Sequence, residues 1–480
     1  MNRRMVFYTV GNILKIEAAL MLLPALVSII YSDGCLQYFL ISIAVALAAG
    51  FALSLISKPS SQLIFAKEGF AIVALAWLAL SAVGALPFFL SGQIPNYADA
   101  FFETVSGFTT TGASIVPDVE ALSKGILFWR SFTHWIGGMG VLVFVMAIFN
   151  NISDRSIHIM RAEMPGPIIG KIVPRIRGTA KILYLIYIAM TLVEVLLLWA
   201  GEMDLFESLV HSFGTAGTGG FGIKGSSIGA YSPYTQWIIT IFMLLFGVNF
   251  NLYYLLLLRR AKTVFKSSEL WTYIIIVAVA TGLITTNTFN LYSSFSEALR
   301  ASAFQVSSII TTTGYSTVDF NLWPAFSKGI LFVLMFIGGC AGSTAGGLKV
   351  ARVMIMFKSI GRELRKLLHP RSVNTVKLEG KALDGSVLHN TGAYFILYMV
   401  IYFTVFLILC LEPLSFETNF TAVSACINNI GPGFDVVGPM GNFSSYSDFS
   451  TIILSITMLL GRLEIFPLLL AFSPSTWSKK

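Results

Sequence analysis

Four short stretches of this chain are rich in threonine and glycine, and each lies between two long apolar runs. They read AFFETVSGFTTTGA (Ala100–Ala113), FESLVHSFGTAGTGGF (Phe206–Phe221), ASAFQVSSIITTTGY (Ala301–Tyr315) and FTAVSACINNIGP (Phe420–Pro432). Aligned without gaps, they superpose Gly112, Gly220, Gly314 and Gly431. Each begins as a short, mildly amphipathic helix and ends in a turn. Such a half-helix with an irregular turn cannot face lipid, because its backbone groups would go unpaired. It persists at membrane depth only when buried in protein or lining a water-filled path. A repeat on this scale decides the architecture. Four re-entrant segments around one axis make a pore.

That reading requires a membrane, and the composition supplies the reason. Only 12% of residues are charged and 55% are hydrophobic, against about 25% charged in soluble chains. Runs such as Ile182–Trp199 and Tyr394–Leu411 approach the ~20 apolar residues that a spanning helix needs. The pattern predicts spans near 12–30, 37–57, 68–90, 124–149, 179–201, 233–258, 270–290, 325–357 (interrupted), 390–411 and 448–472. Asn2-Arg3-Arg4 starts a positive region, but the apolar run behind it is too long for a cleaved leader and lacks a small-x-small site. It is expected to be the first span.

The fold expected is therefore an all-α integral membrane protein. Four tandem span, pore-helix, filter-turn, span repeats surround one pseudo-fourfold pore, with two extra N-terminal transmembrane helices. The divisions fall at 1–60 for the helix pair, then 61–155, 156–262, 263–370 (with a broken second span) and 371–480 for the repeats.

The net charge of +8 becomes informative once placed. With the N-terminus in the cytoplasm, most basic residues fall in inside segments: Arg3, Arg4, Lys58, Lys67, Arg155 to Lys181, Arg259 to Lys266, Lys349 to Lys381, and Lys479–Lys480. The positive-inside rule then sets both termini on the cytoplasmic side. Charge that lines one membrane face excludes nucleic acid as its purpose. Acids, among them Asp99, Glu103, Glu207, Glu297, Glu417 and Asp435, dominate the outside segments. They would concentrate cations there, unless they are simply the other half of the topology bias. Cys35, Cys340, Cys410 and Cys426 show no metal-binding or CxxC spacing, so neither zinc nor a disulfide framework is expected.

The turn chemistry suits a bare cation. A dehydrated K⁺ needs a cage of oxygens, which selectivity filters build from backbone carbonyls. Carbonyls converge on one axis only where some residues take backbone angles that glycine adopts freely. Neighbouring hydroxyls add ligands or pin the turn. The candidate filter residues are Thr110, Thr111 and Gly112; Thr218, Gly219 and Gly220; Thr312, Thr313 and Gly314; and Asn429, Ile430 and Gly431.

Span eight carries five glycines between residues 338 and 347, each costing roughly 1 kcal/mol against alanine in a helix. It is expected to unwind in mid-membrane below the filter, or else to form a close helix-packing face. Arg462 lies in the middle of span ten, where a charge costs at least ~2.5–3.5 kcal/mol unless it finds water or a partner. It is expected to face an aqueous cavity, with a buried ion pair as the competing solution. Lys349 is expected to stay wet at the cytoplasmic end of the broken segment. Arg130 and Glu194 are further intramembrane charges, structural or functional in equal measure. His134 and His211 read as packing residues.

These segments resemble the Trk/Ktr/HKT superfamily of K⁺ transporters, most closely its bacterial TrkH-like branch, over the whole chain. The resemblance is carried by SGFTTTGAS (Ser106–Ser114), GTGGF (Gly217–Phe221), ITTTGYS (Ile310–Ser316), GGCAGSTAGGLK (Gly338–Lys349) and NNIGPG (Asn428–Gly433). It implies that Gly112, Gly220, Gly314 and Gly431 are the filter glycines and that K⁺ is preferred, since some Na⁺-favouring members carry serine at the first. It implies that the segment of Gly338, Gly339, Gly342, Ser343, Thr344, Gly346 and Gly347 obstructs the pore and moves to open it, and that Arg462 lies in the ion path. Gly222 departs from the pattern, which has a small hydroxyl residue there. The resemblance further implies a homodimer in the bacterial inner membrane, regulated by a cytosolic nucleotide-binding ring, TrkA in the family. The basic segments Arg155–Lys181 and Ser359–Lys381 are its candidate docking surfaces, with anionic lipid as the competitor.

No nucleotide motif occurs in the chain itself, so no cofactor is expected beyond the transported K⁺. An enzyme is not expected, because no HExxH, GxSxG or paired-carboxylate motif lies within a span. A secondary transporter coupling K⁺ to H⁺ or Na⁺ is the alternative, since broken helices suit it; Glu194 and Glu464 are too isolated to make a relay.

Overall fold

The structure, a computed structural model, describes residues 1–59, 65–140, 176–371 and 374–478. Most of it is helix, with almost no strand. Arg3–Leu20 continues as Leu22–Tyr31, then turns back as Leu36–Ile56. These two helices approach closely because small residues face each other: a Cβ added to Gly11 would lie 2.8 Å from the Gly50 carbonyl oxygen. Small residues let backbones touch where lipid provides no hydrophobic drive. Lys15, inside this pair, donates to Ser54 Oγ at 2.6 Å and to Asn12 Oδ1 at 3.3 Å, which satisfies its charge locally.

One order of elements then recurs four times. The outer helices are Ala66–Gly84 (extended by Leu86–Leu90), Ile176–Trp199, Ser268–Thr288 and Gly385–Leu409. The half-helices are Tyr97–Phe108, Leu205–Gly217, Phe295–Ile310 and Phe416–Asn428. After each turn comes a single 3₁₀ turn, at Val119–Ala121, Ser227–Ala230, Phe320–Leu322 or Asp435–Val437. The inner helices Lys124–Gly138, Pro233–Phe246, Ala325–Ile337 and Asp448–Arg462 close each unit.

The half-helices start where the sequence can cap them. Asn96, Asp204, Ser294 and Ser415 accept hydrogen bonds from first-turn amides, and Asp99, Glu207, Glu297 and Glu417 follow in the first turn. A cap satisfies otherwise orphaned N–H groups, and the acids complement the helix dipole.

Six helices are long and apolar enough to cross a membrane, or eight if two bent pairs each count as one span, among the described residues. Two expected spans are not continuous. Span six breaks after Phe246 and resumes at Phe250–Leu257 with an 88° bend. Its freed backbone groups are taken up by the third repeat: Cys340 N donates to Gly247 O at 2.9 Å, and Phe250 N to Gly342 O at 3.0 Å. Span ten turns by 119° between Asp448–Arg462 and Phe466–Phe472, through left-handed Glu464 and Ile465 at φ 55° and 67°. Glu464 is held there by Arg352, at 3.1 and 2.5 Å. Span eight unwinds where the glycines stand, from Gly338 to Lys349, before helix Val350–Leu368. The far part of span four (141–149), the divisions near 60 and 155, the basic segment from Arg155 to residue 175, and Lys479–Lys480 lie outside the described residues.

Candidate ion filter and obstructing loop

All four half-helices stop in the same way. Thr110, Thr218, Thr312 and Asn429 are left-handed, with φ of 55–56°. Each donates its amide three residues back, to Gly107, Thr215, Ile309 or Cys426, at 2.9–3.3 Å. The next residue donates five back, Thr111 to Ser106, Gly219 to Gly214, Thr313 to Ser308 and Ile430 to Ala425, at 2.8–2.9 Å. That pair of bonds is the Schellman motif, which glycine usually ends. The three threonines here accept a left-handed cost of roughly 1–2 kcal/mol each, whereas asparagine visits that region more readily. A local rule broken at equivalent places marks a functional demand.

Two residues on, Gly112, Gly220, Gly314 and Gly431 are again left-handed, at φ 78°, 79°, 84° and 96°. Left-handed residues alternating with ordinary ones turn successive carbonyls toward one side. The glycines also have no room for a side chain. A Cβ on Gly112 would collide with the Gly219 carbonyl oxygen, one on Gly220 with that of Thr313, and one on Gly314 with that of Ile430. A Cβ on Gly431 would stand 2.8 Å from the Thr111 carbonyl oxygen. First meets second, second third, third fourth, and fourth first: the ring closes. The oxygens met are all from the residue preceding an aligned glycine.

The ring is braced from behind. Hydroxyl pairs Thr109–Thr111 and Thr311–Thr313 stand 2.8 Å apart in the first and third turns. In the fourth, Asn429 Nδ2 reaches Thr111 Oγ1 at 2.9 Å and Met458 O at 3.0 Å. Tyr315 OH reaches the carbonyls of His211 and Phe221 at 3.1 and 3.2 Å. Arg130 pairs with Glu103 at 2.5 Å, donates to Gly222 O at 2.9 Å and covers the Phe221 ring at 3.6 Å. Glu103 also accepts from Ile115 N at 2.9 Å, so this buried pair ties half-helix, following loop and neighbouring repeat together. His134 packs edge-on against Phe221 at 4.2 Å. Glu194 is fully buried and forms no ion pair among the described residues. Among the described residues no group of three or more His, Cys, Asp or Glu could hold a metal; the ring itself offers a cation backbone, hydroxyl and amide oxygens. The half-helix C-termini, each carrying partial negative charge, all end at it.

The unwound segment packs against the ring. Gly346 N donates to Thr312 Oγ1 at 2.6 Å, and Gly347 N to Asn428 O at 3.0 Å. Ser343 Oγ donates to Cys340 O at 2.6 Å and Thr344 Oγ1 to Phe246 O at 3.2 Å. A Cβ on Gly338 would strike Gly346 O, and one on Gly339 would lie 2.6 Å from Ala345 Cβ, so the glycines let the loop fold on itself. Arg462 donates to Thr344 O at 2.9 Å and to the carbonyls of Gly137 and Gly138 at 2.6 and 2.8 Å. It thus joins the loop to the first inner helix's C-terminal carbonyls, where a cation is favoured. The sequence did not reveal these backbone carbonyls as partners of Arg462. Lys349 is not wet: it is 1% exposed and its Nζ donates to Ala345 O. The sequence carried its charge but not the fold of the loop around it.

The whole chain has known counterparts. A family model described as TrkH, cation transport protein, matches residues 35–480. The Trk system potassium uptake protein TrkH of Escherichia coli (strain K12) is 39% identical, over 99% of this chain and 100% of that protein. The Trk system potassium uptake protein TrkG of the same organism is 32% identical, over 99% and 98%. The crystal structure of the potassium transporter TrkH from Vibrio parahaemolyticus matches with a TM-score of 0.90 and 34% identity, covering 100% of both chains.

Proposed function

This chain belongs to the TrkH family of cation transport proteins, and on that premise we propose that it takes up K⁺ by passive conduction through the ring of four turns. The observation that carries the reading is the closed ring itself, in which each glycine abuts the preceding-position carbonyl of the next repeat. Stacked carbonyls replace the hydration shell of the ion, and K⁺ is the ion in the names of the similar proteins. Acidic outer segments gather cations, the ion sheds water at Thr110–Gly112, Thr218–Gly220, Thr312–Gly314 and Asn429–Gly431, and the half-helix dipoles favour it there. Residues 338–349 obstruct the path beneath, and Arg462, bonded to that loop, adds an electrostatic barrier.

The placement of basic residues supports an inner-membrane protein with both termini in the cytoplasm. A homodimer controlled by a cytosolic nucleotide-binding ring, which the family resemblance implies, completes the proposal. Rb⁺ uptake into proteoliposomes, with K⁺ and Na⁺ as competitors, tests it. Uptake blocked by K⁺ far better than by Na⁺, with a reversal potential that follows the K⁺ gradient alone, is the expected result. A reversal potential that shifts with pH or Na⁺ would instead establish coupled transport.

A further inference from the structure

Beyond helix Val350–Leu368 the chain forms a β-hairpin that the sequence reading did not anticipate, pairing Lys377–Leu378 with Lys381–Ala382. Its two turn residues, Glu379 and Gly380, are both left-handed at φ 49° and 75°, the pattern of a type I′ turn. Asparagine, aspartate or glycine normally takes the first of these positions. A glutamate held there needs a compensating contact.

The compensation is a helix N-terminus. Glu379 Oε1 accepts from Ser267 Oγ, Ser268 Oγ and Glu269 N, each at 3.1 Å. These residues open outer helix Ser268–Thr288, whose first amides lack intrahelical partners and favour an anion. Glu269 in turn points at the obstructing loop, and its Oε1 accepts from Ala341 N at 2.7 Å. A second line runs from the same hairpin. Leu378 is 1% exposed and packs in one apolar cluster with Ala341, Ala351 and Ile355. Lys358, on the helix that continues from the loop, donates to Lys377 O at 3.0 Å.

Both lines end on Ala341. One is polar, through two carboxylates and a helix N-terminus; the other is apolar, through Leu378. We propose that Glu379 and Glu269 are positioning residues for the obstructing loop, and that the hairpin is a latch holding it against the ring from the side assigned above to the cytoplasm. This rests on the reading of residues 338–349 as an obstruction. A pull on the hairpin would at once withdraw Glu379 from the helix and Leu378 from the apolar cluster that contains Ala341.

The test uses the full chain with Glu379→Asn, Glu269→Ala and both. Asparagine improves the turn and shortens the side chain by one methylene, so the hairpin folds while its hold on the helix is lost. Each single variant should raise Rb⁺ uptake into proteoliposomes roughly three- to tenfold, the effect of about one net hydrogen bond. The double variant should exceed the larger single effect little, and competition by K⁺ against Na⁺ should stay unchanged. Amide hydrogen exchange at Ala341 should quicken in Glu379→Asn. Unchanged uptake in the singles, additive effects in the double, or unchanged exchange at Ala341 would overturn the latch. Wild-type vesicles that take up no Rb⁺ would overturn the conduction reading instead, and the exchange measurement would still decide the latch.

Discussion

The backbone N–H of Gly346 donates to the side-chain hydroxyl of Thr312 at 2.6 Å. A residue of the unwound third-repeat segment is therefore bonded to a left-handed residue of the ring. Alanine at that position could not accept this bond.

If that bond holds the loop in place, Thr312→Val should loosen it while keeping the side chain's shape. The expected outcome is Rb⁺ uptake raised severalfold in proteoliposomes, because a net hydrogen bond of about 0.5–1.5 kcal/mol is lost. Uptake equal to wild type would show that the contact does not restrain the loop.

Gly112→Ser adds a Cβ where the Gly219 carbonyl stands, at a φ of 78°. Steric cost at such a φ is roughly 1–2 kcal/mol, and relief requires that carbonyl to turn away. The prediction is weaker discrimination, seen as stronger inhibition of Rb⁺ uptake by Na⁺. A competition profile identical to wild type would remove Gly112 from the selectivity argument.

Arg462→Ala should raise flux, since it removes a positive charge and three hydrogen bonds to the carbonyls of Thr344, Gly137 and Gly138. Arg462→Lys, a point charge without the planar fork, should fall between. Flux lowered by alanine would mean that the arginine supports the path rather than blocking it.

Glu103→Gln leaves Arg130 without its carboxylate inside the protein, the pair being 3% and 0% exposed at the side chains. Breaking one partner of a buried pair costs about 3–5 kcal/mol. Thermal unfolding in detergent should therefore shift down by several degrees, and more so than for a change at exposed Lys224, whose partner Glu120 is also exposed. Equal shifts would contradict the bracing role.

His211 offers a gain rather than a loss. Its Nδ1 stands 2.8 Å from the Glu207 carbonyl, which fixes the proton on Nδ1 and leaves Nε2 as an acceptor. That Nε2 is buried without a hydrogen-bond partner among the described residues, and a Cβ on Gly222 would come 3.8 Å from it. Gly222→Ser should supply the missing donor and raise the melting temperature, whereas Gly222→Ala should not. Equal effects of the two variants would count against it.

Much of this is legible in the sequence because it depends on local chemistry. Gly112, Gly220, Gly314 and Gly431 aligned by sequence and fell in equivalent backbone states, since few residues other than glycine tolerate those angles. The unwinding at Gly338–Gly347 followed from helix propensity in the same way. What stayed hidden depends on distant partners. The break at Gly247–Asn249 is stabilised by Cys340 and Gly342 from another repeat, and Glu464 leaves the helix because Arg352 holds it. Neither pairing is written in its own neighbourhood. The Glu379–Gly380 turn did carry a signal, a Glu-Gly pair between the short stretches Val376-Lys377-Leu378 and Lys381-Ala382-Leu383, but the glutamate masked it.

The most direct measurement is anomalous diffraction from crystals grown in Rb⁺ instead of K⁺. The account predicts peaks on the axis of the ring, within coordinating distance of the carbonyl oxygens of Thr111, Gly219, Thr313 and Ile430. Strong Rb⁺ peaks elsewhere, with none at those four oxygens, would contradict it.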